Sequence, residues 1–528
     1  MSDPSNMRRS LDRFFADSAR LYPDRPALSI GDRQWTYEAL RRECNAIRRS
    51  LEAVGLGGAQ ANIGVLSAKS LASYASIIAT MESNNVYVPL NPKFPVERLL
   101  KVIEDAGIET VIIDAESVRA AMPLLRDARF RNVILPDSEE NPFPDFDGAS
   151  TFICRGGPVA DLQDAASLGP ASHPPRFAYM MYTSGSTGGP KGVAVTHDNA
   201  CACIDRALRL FKTDHTDRFS QIFELSFDLS ICDIFLCWLS GGCLCVPLPQ
   251  DRLFPLDFVR RNEITVWGSV PSLATNMQKL NVLKERTFPS LRVSWFCGEA
   301  FPAELAQAWS EAAPSSRVYN LYGPTETTIF VTQYRYEPGK SPATGVAPIG
   351  DMLPGLDFLV IDGDGKPTSE AGELWLAGDQ VVPGYWNKPD ATAASFVRRP
   401  GSERIWYRTG DLASIDDRFG LMFHGRVDRQ VKMRGNRVEL QEIEGAVRRT
   451  VGCATVAVVP VFSKDQICTH LVAFCDKVDG GEGAAKKACA RELPLYMIPE
   501  KFIEIDRFPY NSNGKLDYKE LSSRVADL

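Results

Sequence analysis

The sequence predicts an α/β protein, with a large N-terminal domain of layered sheets and helices followed by a small α+β C-terminal domain. Up to about residue 180, helix-like segments such as 37–54 alternate with short apolar runs, NIGVL (62–66) and TVIID (110–114). That is the texture of parallel strands joined by helical crossovers. From residue 370 onward the texture changes to short strands with turns, GELWLAG and YRTGDLASID, and then to the charged stretch HGRVDRQVKMRGNRVELQEIE (424–444). The length agrees, because 528 residues exceed one ordinary domain. The segment from Asp428 to Gln430 marks the boundary, giving units 1–427 and 428–528.

Within this frame, residues 137–175 are rich in Pro, Asp, Gly and Ser and read as a surface connection. YMMYTS (179–184) reads as a strand running into a glycine-rich loop, and HDNACACIDRALRLF (197–211) as the helix that follows. In the last hundred residues ATVAVVPVF and HLVAFCD are strand-like, and ELPLYMIPEKFIEID leads to the turn NSNGK. The final LDYKELSSRVADL is a polar helix, and no internal repeat is present.

Composition excludes several classes. Hydrophobic content of 44% and charged content of 24% are those of a globular protein in water. A net charge of -7 offers no basic excess for nucleic acid. No apolar run approaches the roughly 20 residues that span a bilayer, and MSDPSNMRRSLDRFF lacks the apolar core of a signal peptide. The expectation is a cytoplasmic enzyme with no membrane or nucleic-acid partner. Thirteen cysteines include the close pairs Cys201/Cys203 and Cys243/Cys245, but the five histidines stand at no zinc-like spacing from them, so buried reduced thiols are expected.

The chemistry starts at TSGSTGGPKG (183–192). Its glycines let backbone N–H groups approach a polyphosphate, the hydroxyls of Thr183, Ser184, Ser186 and Thr187 add donors, and Lys191 adds charge. A plain Gly/Ser linker would have neither the strand before it nor the Pro-Lys-Gly ending. It is not a Walker A loop, because Pro190 precedes Lys191 and Gly192 follows it. The loop resembles the signature of the adenylate-forming superfamily, which includes acyl-CoA ligases, luciferases and adenylation domains of nonribosomal peptide synthesis. Further motifs of that superfamily follow in order: YGPTETT (322–328), GELWLAG (372–378), YRTGDL (407–412), GRVDRQVKMRGNRVEL (425–440) and NGK (513–515). The resemblance runs from WTYEAL near residue 35 to Lys515.

What it implies is an ATP- and Mg²⁺-dependent reaction joining a carboxylate to the α-phosphate and expelling pyrophosphate. Thr183, Ser184, Gly185, Ser186, Thr187, Gly188 and Lys191 would wrap the β/γ-phosphates, and Glu326 would help hold Mg²⁺. Tyr322 would lie against adenine, with Gly298, Glu299, Asn320, Gly323 and Thr325 completing the nucleotide site. Asp411 would accept the ribose hydroxyls, with Arg426 beside ribose and phosphate. Lys515, carried by a mobile C-terminal domain, would bridge carboxylate and phosphate during adenylation, so that Lys515, Glu326 and Thr183 form the catalytic set. A hinge at Asp428 would then swing Lys515 out and bring Gly435 in for transfer to a pantetheine thiol.

The acid is identified by FELSFDLSICDIF (223–235). Asp228 matches the carboxylate that meets an α-ammonium; facing a fatty tail it would be a buried unpaired charge, and its bland alternative is a helix cap. Leu229, Cys232, Gly268, Trp295, Cys297, Leu321, Ile329 and Phe330 would line the side-chain pocket with no further charge besides Lys515. Bulky Trp295 and Phe330 favour a small neutral amino acid of the Ala, Gly, Ser or Cys type. FDLS, VPS (270–272) and WFCGEAFP (295–302) also resemble the D-alanyl carrier protein ligases, with Cys297 as the matching cysteine, although Trp295, Phe330 and Gly268 depart from that pattern. Few residues follow NGKLDYKEL, so a separate phosphopantetheinylated carrier protein is the expected partner. The alternatives are an acyl- or aryl-CoA ligase and a catalytically silent scaffold; loss of Lys515 or Glu326 would have pointed to the latter, and both are present.

Overall fold

The structure is a computed structural model that describes residues 10–143, 151–155, 176–185, 189–252, 255–401, 403–464, 467–510 and 516–525. Two large sheets carry the N-terminal part. The first has seven strands in the order Thr151–Cys154, Asn132–Leu135, Thr110–Ile113, Asn62–Leu66, Val86–Leu90, Phe177–Thr183 and Lys191–Thr196. All pair in parallel except the last two, which are antiparallel. The second has nine strands, with a parallel centre running from Pro26–Ile30 through Cys243–Val246, Arg218–Ser220, Val266–Ser269 and Val293–Phe296 to Arg317–Tyr322. Strand interiors such as Ile63, Val65, Val111 and Ile112 are buried, as parallel strands covered on both faces require.

Helices form where the sequence marks their ends. Tyr37–Ala53 begins at Thr36, whose hydroxyl accepts from Ala39 N at 3.1 Å, and Leu71–Glu82 begins with a capping box between Ser70 and Ser73. Leu229–Ser240 ends on Gly241 at φ 76°, a left-handed position that a side chain disfavours.

The C-terminal part has its own cores. The clusters around Ile443 and Val447 and around Val472 and Phe474 draw only on residues from Val431 onward. They pack against a three-stranded sheet, Val456–Phe462, Cys468–Cys475 and Lys501–Glu504, beside the hairpin Val431–Met433 and Asn436–Val438. Between the two parts lies a five-stranded antiparallel sheet that includes Gly372–Ala377 and Ile405–Asp416. The class is therefore mixed α/β, with a large N-terminal and a small C-terminal domain.

Two sequence readings change. Between the glycine loop and the helix His197–Phe211 the structure adds a strand that the sequence reading did not include, Lys191–Thr196, which pairs antiparallel with Phe177–Thr183. KGVAVT alternates with β-branched residues in a run too short to stand out from the adjoining helix. Inside 137–175, Thr151–Cys154 is an edge strand rather than connection, pairing in parallel with Asn132–Leu135. All thirteen cysteines are free thiols and all but Cys154 are buried. No described helix is long and apolar enough to cross a membrane.

Candidate active site

The site lies where the two large sheets meet the C-terminal hairpin, at the carboxyl ends of parallel strands, the position the topology favours for ligands. A cavity of about 80 Å³ is lined from the N-terminal side by Thr183, Ser184, Asp228, Cys297, Gly298 and Thr325, and from the hairpin side by Lys432, Gly435 and Arg437. Phe94, Arg98 and Tyr496 also line it. Arg98 pairs with Glu442 at 2.5 Å, a buried ion pair joining the two parts of the chain. A second cavity of about 850 Å³ shares Arg426, Gln430 and Lys432 with the first and is bounded by Glu299, Ala300 and Asp428.

Asp228 stands at the start of the helix Leu229–Ser240, yet its side chain makes no capping hydrogen bond to that helix's first turn. It is 7% exposed, and its Oδ2 is buried without a partner. Burial pushes its carboxyl up to about 6; the Thr325 hydroxyl opposes the rise, and the nearby Glu326 charge adds to it. A buried carboxylate lining a cavity with one oxygen unsatisfied leaves an acceptor open to a donor placed in that cavity.

Glu326 has the opposite environment. It sits in the short turn Thr325–Thr327 and is 1% exposed. Arg437 Nη1 donates to both carboxylate oxygens at 2.8 and 2.9 Å, and the Tyr385 hydroxyl donates to Oε1 at 2.7 Å. Burial alone would raise this carboxyl, but the Arg437 charge and the Tyr385 hydrogen bond outweigh it and hold the group below its ordinary value.

The remaining nucleotide-site candidates fall into three groups. Asp411 is buried, with Oδ1 taken by Arg426 and Oδ2 accepting the Tyr322 hydroxyl at 2.5 Å, so both oxygens of the expected ribose acceptor are already aimed and held. Lys432 Nζ lies 5.6 Å from the centre of the Tyr322 ring, the ring proposed to meet adenine. Gly298 lines the cavity at φ 94°, and Gly323 has no room for a side chain, since a Cβ would fall 2.5 Å from Phe330 Cα. Asn320 instead spends its amide on the Ala347 and Pro348 carbonyls, at 3.3 and 2.8 Å. Glu299 accepts from Ser272 N and Gly435 N, at 2.9 and 2.7 Å, tying the hairpin turn to the core.

In the glycine loop, Thr183 closes its strand opposite Lys191, and Gly185 permits the turn because a Cβ there would fall 2.3 Å from Gly189 O. Lys191 Nζ lies 5.3 Å from the Tyr385 ring centre. Ser186, Thr187, Gly188 and Lys515 lie outside the described residues.

Of the side-chain pocket, Leu229, Cys297 and Ile329 line the cavity alongside Asp228. Cys232, Gly268, Trp295, Leu321 and Phe330 are not part of its lining. Trp295 packs within an aromatic cluster, 5.2 Å from Phe223 and 6.3 Å from Phe330, and lies against Gly268, where a Cβ would fall 2.5 Å from the indole. The buried Cys297 thiol is pushed up to about 12, so it stays protonated and serves as an apolar surface.

Sequence reasoning assigned no role to Arg437, Tyr385, Lys432 or Arg98. Arg437 sits inside the quoted stretch 425–440, but nothing in the linear pattern aligns it with Glu326, 111 residues earlier.

The sequence profile of the AMP-binding enzymes matches residues 15–386. The chain is a member of the AMP-binding enzyme family. Tyrocidine synthase 1 of Brevibacillus parabrevis is 29% identical to this AMP-binding enzyme over 98% of its chain, which spans 45% of that synthase. A D-alanine–D-alanyl carrier protein ligase of Bacillus velezensis is 30% identical over 95% of this chain and 97% of its own length. Among solved structures, the Vibrio cholerae adenylation domain AlmE in complex with glycyl-adenosine-5′-phosphate has a TM-score of 0.89 at 29% identity, covering 100% of both chains.

Proposed function

We propose that this AMP-binding enzyme activates a small neutral amino acid as its aminoacyl adenylate and transfers it to the phosphopantetheine thiol of a separate carrier protein. The single observation that carries the reading is Asp228, a buried cavity carboxylate with an unpartnered oxygen, the complement of an α-ammonium. In the first half-reaction an oxygen of the amino acid carboxylate attacks the α-phosphorus of ATP, and the bond to pyrophosphate breaks. In the second the carrier thiolate attacks the acyl carbon, and AMP leaves.

Each residue then has a task. Asp228 fixes the ammonium and thereby aims the carboxylate. Thr183, Ser184 and the backbone of the glycine loop, with Lys191, hold the leaving phosphates. Tyr322 and Arg426 orient Asp411 toward the ribose before nucleotide arrives, so no reorganisation is needed at that point. Lys515 neutralises charge between carboxylate and phosphate. Gly435 leaves room for the pantetheine arm, and Asp428, paired with Arg426 at 2.7 Å, serves as the hinge between units 1–427 and 428–528. Magnesium supplies charge neutralisation on the phosphates when bound. Glu326 would hold it; one carboxylate suffices where phosphate oxygens complete the shell, and among the described residues no larger cluster of metal-binding groups competes.

The apolar walls beside Asp228, formed by Leu229, Cys297 and Ile329, support a neutral side chain, as in the Ala, Gly, Ser or Cys type. The carrier ligase and the glycyl-adenylate-bound domain among its similar proteins support the same range, D-alanine included. A pyrophosphate-exchange panel of the twenty amino acids, both enantiomers of alanine and common β-amino acids tests the reading. Exchange with one small neutral member is the expected outcome. Exchange with fatty or aryl acids alone, with CoA-dependent release of AMP, would replace it with a CoA ligase.

A further inference from the structure

We propose that a third cavity, at the carboxyl ends of four parallel strands, binds a free zwitterionic α-amino acid with an aliphatic or aromatic side chain, and that its occupancy weakens substrate binding at Asp228. The coupling rests on the function proposed above for Asp228; the binding site itself does not.

The cavity measures about 260 Å³ and is lined from both large sheets. Ile30 and Pro247 stand at the ends of Pro26–Ile30 and Cys243–Val246 in the nine-stranded sheet, and Ser67 and Leu90 at the ends of Asn62–Leu66 and Val86–Leu90 in the seven-stranded one. Open α/β sheets hold small ligands in crevices outside the carboxyl ends of their parallel strands. Among the described residues, the charged groups lining it are Lys69, Lys93, Glu116 and Glu224, two cations and two anions. That balance suits a ligand carrying one charge of each sign, and a phosphate or a metal ion would upset it. Lys93 Nζ and Glu224 Oε1 pair at 3.2 Å with side chains 67% and 37% exposed, a rim contact that a ligand opens easily. The ligand carboxylate then lies between Lys93 and Lys69, and its ammonium meets Glu224. Val65, Tyr87, Leu90, Leu225 and Leu248 supply the apolar surface on which its side chain rests.

The wall between this cavity and the active site is one short segment. Glu224, Leu225 and Ser226 border the third cavity, Ser226, Phe227 and Asp228 border the one at the active site, and Ser226 borders both. Lys69 holds the root of that segment, its Nζ donating to Gln221 O at 3.1 Å and to Ile222 O at 2.9 Å. The Tyr74 hydroxyl donates to Gln221 Oε1 at 2.8 Å, and Gln221 Nε2 donates to Phe223 O at 2.7 Å. A carboxylate is a stronger acceptor for an ammonium than a peptide carbonyl is. A ligand carboxylate at Lys69 therefore draws it from the two carbonyls, and the segment that aims Asp228 loses a tether. Linkage makes the effect mutual, each amino acid lowering the affinity for the other by the same factor.

Calorimetric titration of the full-length protein with L-leucine and with L-phenylalanine tests the site. At least one of the two should bind the unaltered protein, and should bind Asp228→Ala with a Kd within about twofold of that value. Lys93→Met, at the exposed rim where the fold tolerates change, should weaken binding at least fivefold, and Glu224→Gln should do the same. N-acetyl-leucine, which lacks the ammonium, and leucinamide, which lacks the carboxylate, should each bind at least tenfold more weakly than leucine. In pyrophosphate exchange, a saturating amount of the bound probe should raise KM for the activated amino acid at least threefold and leave KM for ATP unchanged; Lys69→Met should remove that dependence. No binding of either probe, binding that disappears in Asp228→Ala, binding unchanged in Lys93→Met and Glu224→Gln, or a KM indifferent to the probe would each overturn the proposal. The titration needs neither ATP nor the activated acid, so an enzyme with a different acid substrate would fail the exchange panel and still show this site.

Discussion

Asp228 and Glu326 are two carboxylates at one site, both buried, and they behave as opposites. Asp228 faces the cavity with one oxygen unsatisfied and its carboxyl pushed up to about 6. Glu326 is enclosed by Arg437 and Tyr385 and held below its ordinary value. Desolvation acts on both in the same direction, so the difference comes from partners. One carboxylate is left with an oxygen open to the cavity; the other is satisfied by Arg437, 111 residues further along the chain.

The largest expected effect concerns the lysine both carboxylates would act beside. Lys515→Ala should lower ATP–pyrophosphate exchange by about 10²-fold or more, the scale for removing one charge-stabilising donor, while ATP binding measured by calorimetry stays largely intact. Near-normal exchange would remove Lys515 from the catalytic set. Next, Asp228→Ala should lower kcat/KM for the amino acid by about 10²-fold, as loss of a buried charge partner does, with KM for ATP changed by no more than a few-fold. Equal losses for both substrates would sink the ammonium assignment.

The same carboxylate-to-amide change should then act with opposite sign on stability. Asp228 has a folded value of about 6 against an unfolded value of 3.8, so its stabilising contribution is full only below pH 4 and is lost as pH rises through 6. Asp228→Asn should therefore raise the melting temperature of the ligand-free protein at pH 7.5, by about 2–3 kcal/mol of stability, and the advantage should vanish at pH 4. Glu326 has a lowered value, so its contribution is present above pH 4.5 and lost on acidification. Glu326→Gln should lower the melting temperature at pH 7.5, because Arg437 is left without its anion. Two shifts of the same sign would break the contrast. The smallest effect is on binding: the KM for the amino acid should rise as pH falls below about 6, where Asp228 takes up a proton, while KM for ATP stays flat.

Much of the fold was legible. NIGVL, GELWLAG and 197–211 carry their period and end signals locally, and each is found as read, at Asn62–Leu66, Gly372–Ala377 and His197–Phe211. KGVAVT was not, because a six-residue strand pressed between a glycine loop and a helix has too few repeats to declare itself, and its partner strand decides it. For the site, motif spacing gathered Thr183, Asp228, Thr325 and Gly435 before any coordinates, and all four line one cavity. Trp295 and Phe330 were read as lining the side-chain pocket and are not among the residues that line this cavity. Whether a bulky residue faces a ligand or supports the wall depends on neighbours such as Gly268, which lies one strand over and opens the space that the indole fills.

The sequence by itself determined the residue types, the glycine-rich loop that is not a Walker A, and the place of Asp228 in FELSFDLSICDIF. Those follow from chemistry carried by short segments, where neighbours in the chain are neighbours in space. Tertiary structure alone decided which carboxylate was left unsatisfied and which was closed by Arg437. The two partners are 111 residues apart and on different domains, and a buried ion pair exists only when packing brings its charges together away from water.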